Sequence, residues 1–278
     1  MTDEPAVYGG KASGRIRTRD LLLAKQQKQT WSMLTSYDCY TAEIFDRVGV
    51  PVLLVGDSAA NTVFGHSSTI PVTVDELLPL VRAVVGATSR ALVVGDLPFG
   101  SYERDPGQAL TTAVRFLKEG GCQAVKLEGG ARMAPQIAKL VDAGIPVMAH
   151  IGFTPQSEHQ LGGFRVQGRG EDAASALVAD ARAVADAGAT AVVLEMVPAD
   201  VAKEITGLLD IPTIGIGAGP DCDAQVLVWQ DMLGLRRGRL PRFVKQYAQL
   251  DAVIETAVRE FVQDVRHGAF PAAEHSFG

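Results

Sequence analysis

Short apolar runs and longer amphipathic stretches alternate along this chain from about residue 20 to residue 229. The short runs are Trp31 to Ser36, Val50 to Gly56, Ala91 to Asp96, Ala124 to Glu128, Pro146 to Ile151, Ala189 to Glu195, Ile211 to Gly217 and Leu227 to Trp229. Most are rich in Val, Ile or Leu and are continuous rather than alternating, as parallel strands buried on both faces are. Between them, Thr73 to Thr88, Pro106 to Gly120, Ala131 to Ala143, Asp172 to Ala187 and Ala199 to Leu209 read as helices. Thr73 ahead of Asp75 and Glu76 supplies a capping signal, with acidic residues where the helix dipole favours them. Gly120-Gly121, Gly144 and Gly188 are the expected left-handed stops.

Eight βα units in series predict a closed (β/α)₈ barrel of the TIM type; a doubly wound open sheet usually has fewer strands. The 278 residues suit one such barrel, which needs about 250, plus extensions. Residues 1–17, polar and Gly-rich, read as a flexible N-terminal arm, and residues 18–278 as one catalytic domain. The tail from Pro241 to His267 reads as one or two extra helices packed outside the barrel.

A net charge of −6 argues against nucleic acid as a partner, because phosphate binding needs a basic face. Cys39, Cys122 and Cys222 are odd in number and widely spaced, which excludes a disulfide framework and a thiolate zinc site. Residues 1–19 carry no apolar core of the kind a secretory leader has, and no apolar run reaches membrane-spanning length. A soluble cytoplasmic protein is expected.

Barrel active sites lie at the C-terminal ends of the strands. There the second, third and fourth runs carry Asp57, Asp96 and Glu128. Any one such acid could simply cap its own loop. Three on neighbouring strands about 4.8 Å apart converge on one rim, where they would repel one another unless a cation neutralised them. All-oxygen ligands favour Mg²⁺ over Zn²⁺, with one or two of the three binding directly and the rest through water. Lys126, two residues before Glu128, shares its inward face. It is either an ion-pair scaffold or a cation for a substrate carboxylate.

Glu195 ends the sixth run, away from the acid cluster and next to Val192, Val193, Leu194 and Met196. In such an apolar wall a carboxylate holds a raised pKa and can shuttle a proton; the alternative is a charge partner for a loop Arg or Lys. His150, ending the fifth run, is either a substrate contact or a hydrogen-bonded structural residue. Gly215, Gly217 and Gly219 share one face; if that face is inward, the barrel mouth is emptied there for a large ligand. The dinucleotide fingerprint fails, since its last Gly falls on Pro220.

Several strings together carry a resemblance: Leu54-Val55-Gly56-Asp57-Ser58, Asp96-Leu97-Pro98-Phe99, Val125-Lys126-Leu127-Glu128-Gly129-Gly130, and His150-Ile151-Gly152-Phe153-Thr154-Pro155-Gln156. Val166 to Gly170, Ile214 to Gly219 and Glu274 to Phe277 add to it. In combination, from about Asp20 to the end, the chain resembles the ketopantoate hydroxymethyltransferases. The resemblance implies hydroxymethyl transfer from 5,10-methylenetetrahydrofolate, as co-substrate, to 3-methyl-2-oxobutanoate through a Mg²⁺-stabilised enolate. The product is 2-dehydropantoate, a precursor in pantothenate and coenzyme A synthesis. It implies Asp57, Asp96 and Glu128 as the Mg²⁺ shell, and Ser58, Asp96 and Lys126 as oxo-acid contacts, beside Asp57 and His150. It implies Glu195 as the catalytic proton acceptor and a homo-oligomer, usually a decamer. Two departures stand out. Gln156-Ser157-Glu158-His159 replaces the family's usual Gln-Ser-Val-Asn, and Gly95 replaces a usual Ala, small for small.

Two other readings compete. A Mg²⁺-dependent lyase or mutase of the isocitrate lyase and phosphoenolpyruvate mutase type would use similar acids on a 2-oxo acid enolate. Such enzymes often rely on a Cys-bearing loop, and no Cys closely follows Glu128 or His150. A barrel serving only as a binding scaffold would be expected to lack one of the three acids.

Overall fold

A computed structural model describes residue 7, residues 14–236, residue 238 and residues 240–277. The chain separates into two compact units, Met1–Val228 and Trp229–Gly278. The first unit is a closed parallel barrel whose strands follow one another in chain order. They are β1 Trp31–Thr35, β2 Val52–Val55, β3 Leu92–Asp96, β4 Ala124–Glu128, β5 Val147–Gly152, β6 Ala191–Glu195, β7 Thr213–Ile216 and β8 Ala224–Leu227. β8 closes on β1 with Trp31 opposite Ala224.

Seven strands lie where the apolar runs place them. The eighth begins at Ala224, and Trp229 instead opens the short helix Trp229–Met232. β8 alternates, with Ala224 and Val226 buried and Gln225 exposed, so one polar residue hides it from a search for continuous apolar runs.

The helices arise from the local chemistry expected. Helix Val74–Gly86 starts with a complete capping box, Thr73 and Glu76 each bonding the other's backbone. Gly121, Gly144 and Gly188 all take positive φ at the stops. Helix Pro106–Arg115 continues into a π-turn, Phe116–Gly120, which puts the Phe116 ring against the outer face of β3.

Inward residues of the strands form one core cluster. It includes Met33, Leu54, Val94, Met148, Val193, Ile214 and Val226, with Val7, Ile16, Leu21 and Ala24 closing its N-terminal end. Full burial of a side chain such as Leu21 is worth about 1.5–3 kcal/mol. Within the N-terminal arm, Arg15 also bonds the Ala91 carbonyl at 2.7 Å; residues 1–6 and 8–13 lie outside the described residues. The glycine face of β7 points outward, because Ile214 and Ile216 face the core and Gly215 faces Cys222 and Gln225. The barrel mouth is therefore not emptied of side chains on that strand.

The second unit holds Trp229–Met232 and one long helix, Leu250–His267. The tail from Pro241 is helical only from Leu250 onward, apart from the turn Ala273–His275. Among the described residues, no helix is long and apolar enough to cross a membrane.

Candidate active site

Strand register brings the site together. Asp96 pairs with Lys126, Glu128 with His150, and Gly152 with Glu195, so each partner sits one step around the barrel. Alternation turns Asp96, Lys126, Glu128, His150 and Glu195 inward above the apolar core. Asp57 follows β2 by two residues and donates its N–H to Asp96 Oδ2 at 3.1 Å.

At the centre is a buried ion cluster. Lys126 Nζ lies 2.8 Å from Asp96 Oδ1 and 3.9 Å from Glu128 Oε1. His150 Nδ1 lies 3.3 Å from Glu128 Oε1, and its Nε2 lies 3.3 Å from Glu195 Oε2. The imidazole therefore bridges the acid cluster to Glu195. The apolar wall expected around Glu195 is not its environment: Val192 and Leu194 alternate to the outer face, and the near neighbour is a titratable ring. Ser58 Oγ is 2.8 Å from the buried Tyr37 hydroxyl.

Glu195 is also the point where two loops are fixed. Gly152 has φ +91°, and a Cβ there would fall 2.4 Å from the Glu195 carbonyl, so only glycine makes this turn. Phe153 N–H then bonds that same carbonyl at 2.8 Å, and Pro155 opens a 3₁₀ turn, Pro155–Ser157. Met196 follows Glu195 with φ 49°, a left-handed conformation unusual for a residue with a side chain. Its N–H bonds the Ile216 carbonyl, and its carbonyl accepts the Gln167 N–H.

Two residues outside the sequence-derived set belong to the cluster. Gln156 donates its backbone N–H to Glu128 Oε2 and its side-chain amide to Asp57 Oδ2, both at 3.0 Å. Tyr102 bonds Gln156 Oε1 at 2.7 Å and accepts the Glu128 N–H at 3.1 Å. Gln156 lies within a string that carries the family resemblance, but nothing local marks its role. Tyr102 sits in the loop after β3, where periodicity is silent.

The electrostatics show excess negative charge. Burial, then the Asp96 and Glu128 charges, push the Asp57 carboxyl up to about 8, against the pull of Lys126 and the Gln156 bond. Burial raises Asp96 as well, opposed by Lys126. Burial acts on Glu128 in the same sense, but its bond to His150 with the His150 and Lys126 charges outweighs it and leaves Glu128 low. Burial and Lys126 work against the charged form of His150; its bonds to Glu128 and Glu195 prevail and raise it to about 9. Lys126 is held protonated, its burial outweighed by Asp96, Glu128 and Asp57.

Whether a divalent cation suits these residues can be tested on the oxygens. Asp57 Oδ2, Asp96 Oδ2 and Glu128 Oε2 each accept an N–H, whereas Asp96 Oδ1 faces Lys126 Nζ at 2.8 Å and Glu128 Oε1 faces His150 Nδ1 at 3.3 Å. One oxygen of each acid is tied back, and the second oxygens of Asp96 and Glu128 face the cationic groups of the cluster. That pattern, with the Asp57 carboxyl raised by burial and by the Asp96 and Glu128 charges, fits a hard cation. Among the described residues no three His, Cys, Asp or Glu side chains form a ready-made cage. A shell shared with water and substrate fits.

Fold and site together define an enzyme: a (β/α)₈ barrel with acids, a lysine and a histidine converging at the carboxyl ends of adjacent strands. Solved structures share that fold. Phosphonopyruvate hydrolase, in complex with oxalate and Mg²⁺, matches with TM-score 0.57 at 14% identity, covering 94% of this chain and 93% of that one. 2,3-Dimethylmalate lyase, a PEP mutase/isocitrate lyase superfamily member, matches with TM-score 0.57 at 16% identity over 94% and 91%. At such identities the likeness is one of fold.

Sequence relatives go further. The family model for ketopantoate hydroxymethyltransferase matches residues 15–273. The 3-methyl-2-oxobutanoate hydroxymethyltransferase of Saccharopolyspora erythraea is 66% identical over 263 residues, 95% of this chain and 89% of the relative. That of Mycobacterium tuberculosis is 60% identical over 280 residues, 99% of each. The chain belongs to the ketopantoate hydroxymethyltransferase family.

Proposed function

We propose that the chain transfers a hydroxymethyl group from 5,10-methylenetetrahydrofolate to 3-methyl-2-oxobutanoate, giving 2-dehydropantoate for pantothenate and coenzyme A synthesis. The observation that carries this reading is one buried cluster in which Asp96, Glu128 and Lys126 face Glu195 across His150. A 2-oxo acid is a small anion whose C3 proton must be removed. The cluster offers a cation for its carboxylate and a base for that proton.

Asp57, Asp96 and Glu128 would hold Mg²⁺, one or two of them directly and the rest through water. When bound, the ion supplies Lewis-acid stabilisation of the negative charge that develops on the 2-oxo group. Lys126, kept protonated by three acids, neutralises the substrate carboxylate, and Ser58 and His150 line its site. Glu195, with 14% of its side chain exposed against 1% for Asp96 and Glu128, is the accessible carboxylate and takes the C3 proton. Water cleaves the methylene bridge, both C–N bonds breaking so that tetrahydrofolate leaves and the carbon is left as formaldehyde; the electron pair on C3 adds to that carbon, and the alkoxide formed takes the proton held by Glu195. The folate carries the one-carbon unit while the protein positions it.

The test is product formation from the two substrates with and without Mg²⁺. Mg²⁺-dependent 2-dehydropantoate is expected. Absence of product from a folded, metal-binding protein overturns the reading in favour of a lyase or mutase.

A homo-oligomer, a decamer in the family's usual form, belongs to the same reading. Supporting it is helix Leu250–His267, which has no buried residue yet exposes Val253, Ile254, Val258, Phe261 and Val265. A cytoplasmic location is also proposed, in keeping with three free cysteines. Sedimentation analysis and cell fractionation test these two points.

A further inference from the structure

The loops after β3 and β5 meet inside the site through two side chains that the reaction above does not use. Tyr102 is 1% exposed and Gln156 4%. The Tyr102 hydroxyl accepts the Glu128 N–H, so its own proton is aimed elsewhere. Gln156 Oε1 at 2.7 Å is a closer acceptor than the Glu128 carbonyl at 3.2 Å. With its oxygen so engaged, the Gln156 amide turns Nε2 toward the Leu97 carbonyl and Asp57 Oδ2, both at 3.0 Å. A backbone carbonyl cannot donate, so this is the one orientation of the amide that satisfies all its neighbours.

The Gln156 backbone N–H meanwhile holds Glu128 Oε2. One residue thus restrains an oxygen of two different acids, on β4 and beyond β2, and Tyr102 anchors the oxygen of its amide. We propose that Tyr102 and Gln156 are positioning residues that hold one oxygen of Asp57 and one of Glu128, setting the orientation in which the two carboxylates meet a divalent cation. This inference rests on the cation reading of the site. Without the Tyr102 hydroxyl Gln156 Oε1 loses its donor, and the amide that holds Asp57 loses one of its three anchors. Outer partners of metal ligands typically govern about 10- to 100-fold in affinity.

The experiment uses the full chain and Mn²⁺ as probe, with free Mn²⁺ followed by electron paramagnetic resonance. The variants are Tyr102→Phe, Gln156→Met and the pair. Tyr102→Phe removes one oxygen and keeps the ring; Gln156→Met keeps the backbone N–H and removes the amide. Each is expected to weaken Mn²⁺ binding by about tenfold or more. The double variant should match Gln156→Met, because the hydroxyl acts through the amide. Turnover of Tyr102→Phe should recover as Mn²⁺ is raised, an effect that a merely structural role would not give. Unchanged Mn²⁺ affinity with a lowered melting temperature overturns the inference and leaves the cation reading standing. Fully additive effects overturn the relay through Gln156. A wild type that binds no Mn²⁺ overturns the cation reading and this inference with it.

Discussion

Replacing Gly95 by Ala should be costly in this chain. A Cβ at position 95 would lie 2.5 Å from Phe116 Cδ1, 3.2 Å from Cε1 and 3.3 Å from Cys122 Sγ. Carbon atoms rest at about 3.5–4.0 Å, so the ring would have to retreat by roughly 1 Å. Phe116 is fully buried, begins the π-turn, and its carbonyl accepts Cys122 Sγ at 3.4 Å, so neither neighbour retreats freely. Overpacking of this kind costs about 1–3 kcal/mol. If β3 yields instead of the ring, the next residue moves, and that is Asp96, held 2.8 Å from Lys126. The assay is urea unfolding of Gly95→Ala, with midpoint and slope compared to wild type and activity measured alongside. A stability loss of about 1–3 kcal/mol at unchanged slope is expected, partly restored by adding Phe116→Leu. A Gly95→Ala protein within about 0.5 kcal/mol of wild type would refute the packing argument.

Glu195→Gln should lower turnover sharply while leaving oxo-acid binding largely intact, seen by steady-state kinetics and calorimetry; surviving activity would put the base elsewhere. Lys126→Met should leave the surrounding acids unneutralised and raise KM for the oxo acid; an unchanged KM would assign Lys126 to scaffolding alone. Asp46 gives a pH-dependent stability prediction. Burial raises its carboxyl, but the N–H groups of Ser89, Ala91 and Arg90 outweigh this and hold it below the usual carboxylate value. A lowered folded-state pKa gives stability that is complete above the ordinary range and lost as pH falls through the folded value. Asp46→Ala should therefore be less stable near pH 7 by about 1 kcal/mol after solvent screening, and the difference should shrink in acid. A constant difference from pH 7 to pH 2 in thermal melts would contradict the assignment.

The sequence makes the barrel legible because β1 to β7 are buried on both faces and read as unbroken apolar runs. β8 escapes because exposed Gln225 interrupts it. The inward set Asp96, Lys126, Glu128 and His150 is readable from strand ends and alternation alone. Alternation gives direction but not height, so the His150–Glu195 contact depends on the β5–β6 register and could not be foreseen. Tyr102 and Gln156 act across 26 and 28 residues from Glu128, on loops whose paths no periodicity encodes. The Gly95 exchange reads as small for small until the Phe116 ring is seen against it.

The most direct test of the account is proton exchange at C3 of 3-methyl-2-oxobutanoate in D₂O, followed by NMR without any folate present. The account predicts exchange that requires both the protein and Mg²⁺ and is lost in Glu195→Gln. Product formation by a protein that never exchanges that proton without folate, or exchange indifferent to Mg²⁺ and to Glu195, would contradict it.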